Sequence, residues 1–302
     1  MLNATVVVSC YNQKDYISEA LESVLNQKTD FDFNILVADD CSKDGTQEII
    51  AHYQSLYPEK ITAILRKENI GAGRNYIETH KMATGDIVFH LDGDDIMLPG
   101  KLQKQFDLFK DDNTINIVFH RALYFSDDLS YQAETGAPTP NSPILFFAVK
   151  DLALWGTVAV HSSYAYRRVA RKVMDPKRDF MEWFFAMDSL IPEGKGAYIN
   201  EILVKYRCNP MGGAYLASKK GRQKAYNIYF TDLFQYFEKY PALRKELYTN
   251  CLVTTLAMMK GGCGYPKNIL AFLMRKFYYL RFSNFKKTIK MRASVAPAKK
   301  IR

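Results

Sequence analysis

The 302-residue chain has no stretch near the roughly 18 uninterrupted apolar residues that a membrane-crossing helix needs, so no span is expected. It has no C-x-x-C pair. Its five cysteines (Cys10, Cys41, Cys208, Cys251, Cys263) are an odd number, so neither a disulfide framework nor a zinc site follows from them. The start, Met1-Leu2-Asn3-Ala4, lacks the basic region and cleavage site of a secretory leader, which leads us to expect a cytoplasmic protein with reduced, mostly buried thiols. Internal repeats and low-complexity tracts are also missing. One further absence is local: residues 260–302 hold 12 Lys/Arg and no Asp/Glu. The other 259 residues carry the remaining 29 basic groups against all 32 acidic ones, so the net charge of +9 belongs to the tail.

What is present begins with alternation. Ala4–Ser9, Asn34–Ala38, Ile61–Leu65, Asp86–Leu91 and Ile115–Phe119 are β-branched, nearly continuous apolar runs and read as strands. Between them, Asp15–Gln27, Thr46–Leu56, Ala72–Ala83 and Lys101–Phe109 read as helices. This predicts an α/β fold with a mostly parallel sheet covered by helices, whose ligands bind beyond the carboxyl ends of the strands. Polar groups cluster at those ends: Ser9-Cys10-Tyr11-Asn12, Asp39-Asp40-Cys41-Ser42, Arg66-Lys67-Glu68-Asn69 and Asp92-Gly93-Asp94-Asp95. Residues 126–144, rich in Ser, Asp, Pro and Thr, read as a loop or lid, and short irregular elements are expected from there to about residue 210. From Lys219 the pattern is helical, with Tyr226, Tyr229, Phe230, Leu233, Phe234 and Phe237 at three- and four-residue spacing.

Three carboxylates within four residues repel and raise one another's pKa unless a cation joins them. Mg²⁺ or Mn²⁺ takes one or two carboxylates and completes its shell with phosphate oxygens, which suits Asp92 and Asp94. Asp95 is equally a cap for the next helix. Asp39 and Asp40 offer acceptors for a nucleobase or ribose, and Asp40, Ser42 and Asp44 are also turn and cap residues. In Asn69-Ile70-Gly71-Ala72-Gly73-Arg74-Asn75, two glycines and Arg74 at a helix start favour an anion. The third glycine of a dinucleotide fingerprint and the Lys-Ser/Thr of a P-loop are absent, which excludes both.

These segments together resemble the inverting glycosyltransferases of family 2, with the GT-A fold. The matching text is Val6-Val7-Val8-Ser9-Cys10-Tyr11-Asn12, Ser23-Val24-Leu25-Asn26-Gln27, Val37 to Thr46, Asn69-Ile70-Gly71, and Gly85-Asp86 leading into Leu91-Asp92-Gly93-Asp94-Asp95. The resemblance is dense over residues 3 to 110 and looser to about 210. It implies a transferase domain over 1–215, with a donor half (1–120) and an acceptor half (121–215), followed by a helical basic region over 216–302. It also implies a nucleotide-diphosphate sugar donor contacted by Ser9, Tyr11, Asn12, Asp39 or Asp40, Asn69, Gly71, Arg74 and Asp92. Asp94 would be the metal ligand, with Asp92 the ribose or metal-water contact.

The resemblance places the general base at Asp179 in Arg178-Asp179-Phe180-Met181-Glu182-Trp183, with Glu182 one turn on as the rival. Tyr206-Arg207 would close over the phosphates, although Asn209 stands where the family carries histidine. His161 reads either as part of an acceptor-side strand or as a buried structural histidine. Transfer to a glycan or lipid-linked acceptor, in surface polysaccharide or glycolipid synthesis, is the expected activity. A scaffold that has lost its base and a nucleotidyltransferase are the other readings; the second lacks its glycine-rich basic loop after strand one. In the tail, aromatics interleave with Arg275, Lys276, Arg281, Lys286, Lys287 and Lys290, which suggests peripheral contact with an anionic membrane at its inner face. Nucleic acid and a packed helix with solvated lysines are the alternatives for that stretch, and no nucleic-acid partner is expected.

Overall fold

A computed structural model of the protein describes residues 2–128, 130–139, 141–171, 181–208, 219–263 and 267–299. Four runs form the parallel end of its sheet: β1 (Ala4–Cys10), β2 (Phe33–Asp39), β3 (Ile61–Leu65) and β4 (Ile87–Asp92). The connecting helices are α1 (Ile17–Leu25), α2 (Thr46–Leu56) and α3 (Ala72–Met82). In α1 the buried residues Ile17, Ala20, Leu21 and Val24 recur at three- and four-residue intervals, so one stripe faces the sheet while Glu19 and Glu22 face solvent. A two-residue strand, β5 (Ile96–Met97), leads into α4 (Lys101–Asp111), which buries Leu102, Phe106 and Phe109 in the same way.

The strand order β3-β2-β1-β4 sets the site. The chain winds outward from β1 to β3 and then returns to the other side of β1, and the crevice beyond such a reversal is where an open α/β sheet binds ligands. Register at this point places Cys10 opposite Asp39 and Ser9 opposite Asp92.

The second half adds β6 (Ile115–Phe125), β7 (Gln132–Thr135), β8 (Ile144–Phe147), α5 (Val149–Trp155), β9 (Ala165–Arg167), α6 (Glu182–Asp188) and β10 (Lys195–Arg207). Strand β9 lies between β4 and β6, antiparallel to both, while β10 runs parallel to β6 and antiparallel to β5 and β8. Two expectations are corrected here. The stretch 126–144 carries β7, because its main chain pairs with β6 and the Thr135 hydroxyl accepts the Ala122 N–H, at 2.9 Å, whatever the polarity of its neighbours. The region up to 210 contains a 13-residue strand, β10, in which register shifts between Ile199 and Ile202 absorb the polar Asn200-Glu201.

The C-terminal part forms α7 (Lys219–Lys239), α8 (Arg244–Lys260), α9 (Lys267–Arg275), α10 (Phe282–Val295) and β11 (Pro297–Lys299). Helix α8 is buried nearly all round, from Leu247 to Met258, as a helix enclosed by other helices must be. β11 pairs with β7 and extends the sheet edge. Two apolar clusters fill the two faces of the sheet. One joins sheet residues such as Val88 and Tyr166 with Trp183, Tyr229, Leu247 and Met291, so these helices and the sheet share a core. At its centre Trp183 stacks on Tyr229 at 5.4 Å and donates its indole N–H to the Leu152 carbonyl at 3.1 Å. The expected boundary near 215 falls outside the described residues.

Candidate active site

The loops after β1 and β2 interlock at the rim. Asn12 takes a left-handed φ of 51°, which asparagine tolerates, and so places its N–H on the Ser42 hydroxyl at 2.7 Å and its Oδ1 on the Lys43 N–H at 3.0 Å. Asp44 accepts the Thr46 N–H at 3.1 Å and the Thr46 hydroxyl at 2.6 Å, bracing the start of α2 from one residue before its N-cap, Gly45. Tyr11 is exposed, and the Ser9 hydroxyl is buried without a hydrogen-bond partner among the described residues.

Asp39 and Asp40 are both buried and are spent on the protein's own donors. Asp39 accepts from the Ser42 N–H, the Ser42 hydroxyl and Gln47 Nε2. Asp40 accepts the Ile70 and Gly71 N–H groups at 2.8 and 2.9 Å, while Asn69 Nδ2 donates to the Asp40 carbonyl. Through these bonds Asp40 holds the Asn69–Gly71 turn against β2. Gly71 has φ 88° and open space where a side chain would be. Arg74 is half exposed and paired with Glu78 at 2.7 Å. A groove of about 400 Å³ lined by Arg66, Lys67, Glu68, Ile70, Arg74 and Glu78 continues the rim beyond β3. A larger one, about 520 Å³, lies between α1 and α2 among Glu22, Glu48 and His52 and does not reach the rim residues.

The acidic turn joins β4 to β5. Asp92 accepts from His90 Nε2 at 3.0 Å, and Asp95 accepts the Ser162 hydroxyl at 2.5 Å and the Arg207 N–H at 2.8 Å. Asp95 is therefore no helix cap: α4 begins six residues later behind Gly100, and Asp95 ties the turn to β10. Burial works against ionisation of Asp92, but hydrogen bonding from His90 leads the opposing influences, and this carboxyl is pulled down to about 2. Burial first and the charge on Asp92 second push Asp94 up to about 6, with Arg207 and Gln13 acting in the opposite sense. Asp95 is raised too, by burial and its two acidic neighbours. A cation relieves this mutual repulsion, so the donor set fits Mg²⁺ or Mn²⁺.

His90, Asp92 and His161 bring one ligand atom each within 4.8 Å of one another. His90, however, spends Nε2 on Asp92 and Nδ1 on His80, which leaves Asp92 and His161 to face a cation. His161 is half-buried on a short 3₁₀ turn beside the acidic turn, with Nδ1 3.9 Å from Asp92 and Nε2 without a hydrogen-bond partner among the described residues. Lys101, missed in the sequence, is fully buried with its Nζ unpartnered among the described residues, and burial pushes it down to about 7 against the pull of Asp95. Only its position six residues past the acidic turn could have flagged it.

Arg207 is nearly buried between the Tyr16 and Phe125 rings, each 4.6 Å away. Its guanidinium holds the Asp94 carbonyl at 2.7 Å, Glu19 at 2.6 Å and Asp127. Arg207 thus clamps the acidic turn. The Tyr206 ring packs tilted against Tyr124, with centroids 5.0 Å apart. Asp179, Arg178 and Asn209 lie outside the described residues, as does the Glu182 side chain; the Glu182 backbone begins α6.

A parallel sheet that reverses its order at β1, with carboxylates ending the strands beside the reversal, is the architecture of a GT-A glycosyltransferase. The family model "Glycosyl transferase family 2" matches residues 5–173, and the chain belongs to that family. It is 28% identical over 243 residues to an uncharacterized glycosyltransferase, alr2836, of Nostoc sp., covering 77% of this chain and 74% of that one. It is 28% identical over 211 residues to TuaG of Bacillus subtilis, whose name places it in teichuronic acid biosynthesis, covering 67% of this chain and 78% of that one. Among solved structures, the mannosyltransferase PcManGT of Pyrobaculum calidifontis, in complex with GDP-Man and Mn²⁺, superposes with a TM-score of 0.59 at 16% identity over 96% of this chain and 85% of that one. TarS 1-349 of S. aureus, in complex with UDP-GlcNAc, gives 0.53 at 19% identity over 69% of this chain; the match spans 59% of that chain. The protein is thus a family 2 glycosyltransferase with a GT-A fold, related to enzymes of teichuronic acid synthesis. Among the described residues no helix is long and apolar enough to cross a membrane.

Proposed function

We propose that the protein transfers a sugar from a nucleoside-diphosphate sugar to an acceptor hydroxyl with inversion, using a divalent cation, in the synthesis of a cell-surface polysaccharide or glycolipid. The acidic turn carries this reading: Asp92, Asp94 and Asp95 crowd one turn at the reversal of the sheet, and a cation there would relieve the repulsion that, with burial, raises Asp94. Asp94 and Asp92 would hold the cation, which would neutralise charge on the departing diphosphate. Arg207 and Ser162 keep the turn in place, and Asp40 shapes the neighbouring Asn69–Gly71 turn. In the transfer, a carboxylate takes the acceptor's O–H proton as that oxygen bonds to the anomeric carbon. The carbon–oxygen bond to the diphosphate breaks, and its electron pair leaves with the phosphate oxygen. Asp179, with Glu182 as rival, is the proposed base from the family resemblance.

A panel of UDP-, GDP- and dTDP-sugars, each with and without Mn²⁺, tests the reading through release of nucleoside diphosphate. Release that needs Mn²⁺ and disappears in Asp94→Ala is expected, whereas equal release by that variant would remove Asp94 from the site.

The tail is sorted by its packing. Leu273, Thr288, Met291 and Val295 turn inward, and Phe272 and Tyr279 pack against the core. Phe277 and Phe282 are 68% and 76% exposed, together with Met274, Tyr278 and Ile289, beside Arg275, Arg281, Lys286, Lys287 and Lys290. Exposed rings set among cations suit an anionic lipid surface at the inner face of the membrane. Pelleting with vesicles containing phosphatidylglycerol should fall in a Phe277→Ser/Phe282→Ser variant; unchanged pelleting would remove this contact.

A further inference from the structure

We propose that His90 and His80 are positioning residues for Asp92, forming with Tyr166 a one-way chain of hydrogen bonds that ties the donor-site carboxylate to the guanidinium of Arg171. The inference rests on the reading of Asp92 and Asp94 as the place where a cation and a nucleoside diphosphate bind. Arg171 lies 2.6 Å from the Tyr166 hydroxyl, and that hydroxyl lies 2.6 Å from His80 Nδ1. His80 Nε2 lies 3.0 Å from His90 Nδ1, and His90 Nε2 lies 3.0 Å from Asp92 Oδ1.

Both ends fix the polarity of this chain. A guanidinium only donates, so the Tyr166 oxygen accepts from Arg171 and sends its own proton to His80 Nδ1. At the other end an ionised Asp92 only accepts, so His90 Nε2 carries a proton and its Nδ1 is free to accept. The link between the rings then runs from His80 Nε2–H to His90 Nδ1. Two neutral imidazoles with the proton on Nε2 satisfy every step, whereas an imidazolium at His90 would turn the ring-to-ring link around and leave the Tyr166 O–H without a partner in this chain.

The elements that hold the chain follow from local structure. Strand alternation puts Val88, His90 and Asp92 on one face of β4, the face covered by α3, which supplies His80. β9 pairs with β4 so that Tyr166 lies opposite Val88. His80, His90 and Tyr166 are each at most 2% exposed, so water is poorly placed to replace any of them. Arg171 rests on the Phe185, Tyr76 and Tyr166 rings at 4.4, 5.1 and 5.2 Å. The chain has one effect. Turning Asp92 away would orphan the His90 N–H, so the carboxylate keeps its orientation, and Arg171 fixes the far end of the chain.

Binding of Mn²⁺ in the presence of UDP, and separately of GDP, followed by loss of the free-ion EPR signal, tests this in the full chain. Arg171→Met lies four hydrogen bonds from Asp92, and it should weaken Mn²⁺ binding several-fold while the melting curve stays cooperative. His90→Phe removes the donor to Asp92 and should cost about tenfold or more, as loss of a hydrogen bond to a charged group does. His90→Gln, which can place an N–H where Nε2 stands, should recover most of that loss. Asp94→Ala is the reference. If it abolishes Mn²⁺ binding while Arg171→Met and His90→Phe bind like the native protein, the chain is overturned and the donor site stands. If Asp94→Ala binds Mn²⁺ like the native protein, or the native protein binds none with either nucleotide, the donor-site reading itself falls.

Discussion

Replacing Gly93 with alanine separates the position of the acidic turn from its charge. A β-carbon at 93 would lie 2.7 Å from the β-carbon of Cys10, 2.5 Å from Gln13 Oε1 and 3.2 Å from Ile17 Cδ1. Gly93 is not among the positive-φ residues, so crowding alone demands glycine here. The Gln13 amide can swing aside, but the Cys10 β-carbon is fixed to β1. Carbon contacts settle at about 3.5–4.0 Å, so the turn and the end of β1 must part by roughly 0.8 Å. Overpacking of this kind costs about 1–3 kcal/mol, and a misplacement of about 1 Å costs on the order of 100-fold in rate. Gly93→Ala should therefore fold, lose about 1–3 kcal/mol in urea unfolding, and lose on the order of 100-fold in kcat/KM for donor turnover with all three aspartates intact. Adding Cys10→Gly removes the obstructing atom and should restore part of the rate. Turnover by Gly93→Ala within about twofold of native would refute the claim that this contact sets the turn.

Asp94→Asn should stabilise the cation-free protein at pH 7.5. The folded carboxyl titrates at about 6 against 3.8 for its ordinary value, so its ionised form costs about 3 kcal/mol above pH 6. That advantage should shrink as pH falls from 6 towards 3.8 and vanish below it; urea unfolding at pH 7.5, 5 and 3.5 measures it, and a constant difference would contradict the assignment. Arg292 donates to the Trp155 carbonyl at 2.7 Å, Asn250 at 2.8 Å and Thr254 at 3.0 Å. Arg292→Met leaves those buried acceptors short of a donor and should cost about 2–4 kcal/mol in urea unfolding, while a loss below about 0.5 would show that α10 is anchored by its apolar face alone.

β1 to β4, the start of β6 and the helices between them were legible because each is a local pattern: apolar runs separated by amphipathic stripes. The acidic turn was legible for the same reason, since strand ends in a parallel sheet share one rim. What escaped depends on partners distant in sequence. β7 and β11 are polar, short and held by main-chain pairing, and β10 becomes a long strand only because β5, β6 and β8 converge on it. Nothing local reveals that Asp39 and Asp40 also accept from Gln47 and from the Ile70 and Gly71 N–H groups. The histidine chain joins residues 80, 90 and 166. Only the alternation of β4, which sets His90 under Asp92, hinted at it.

The packing of Trp183 has an optical consequence. The chain has two tryptophans, Trp155 and Trp183, and the second is walled off between α5, α6 and α7, with its indole N–H on a carbonyl and its ring on Tyr229. Its emission should be blue-shifted while α7 stays seated against the sheet-side core, and should redden once that helix lifts away. In a Trp155→Phe background the protein thus carries a single built-in fluorophore at the junction of its C-terminal helices and the transferase core, which makes detachment of those helices visible apart from loss of the sheet.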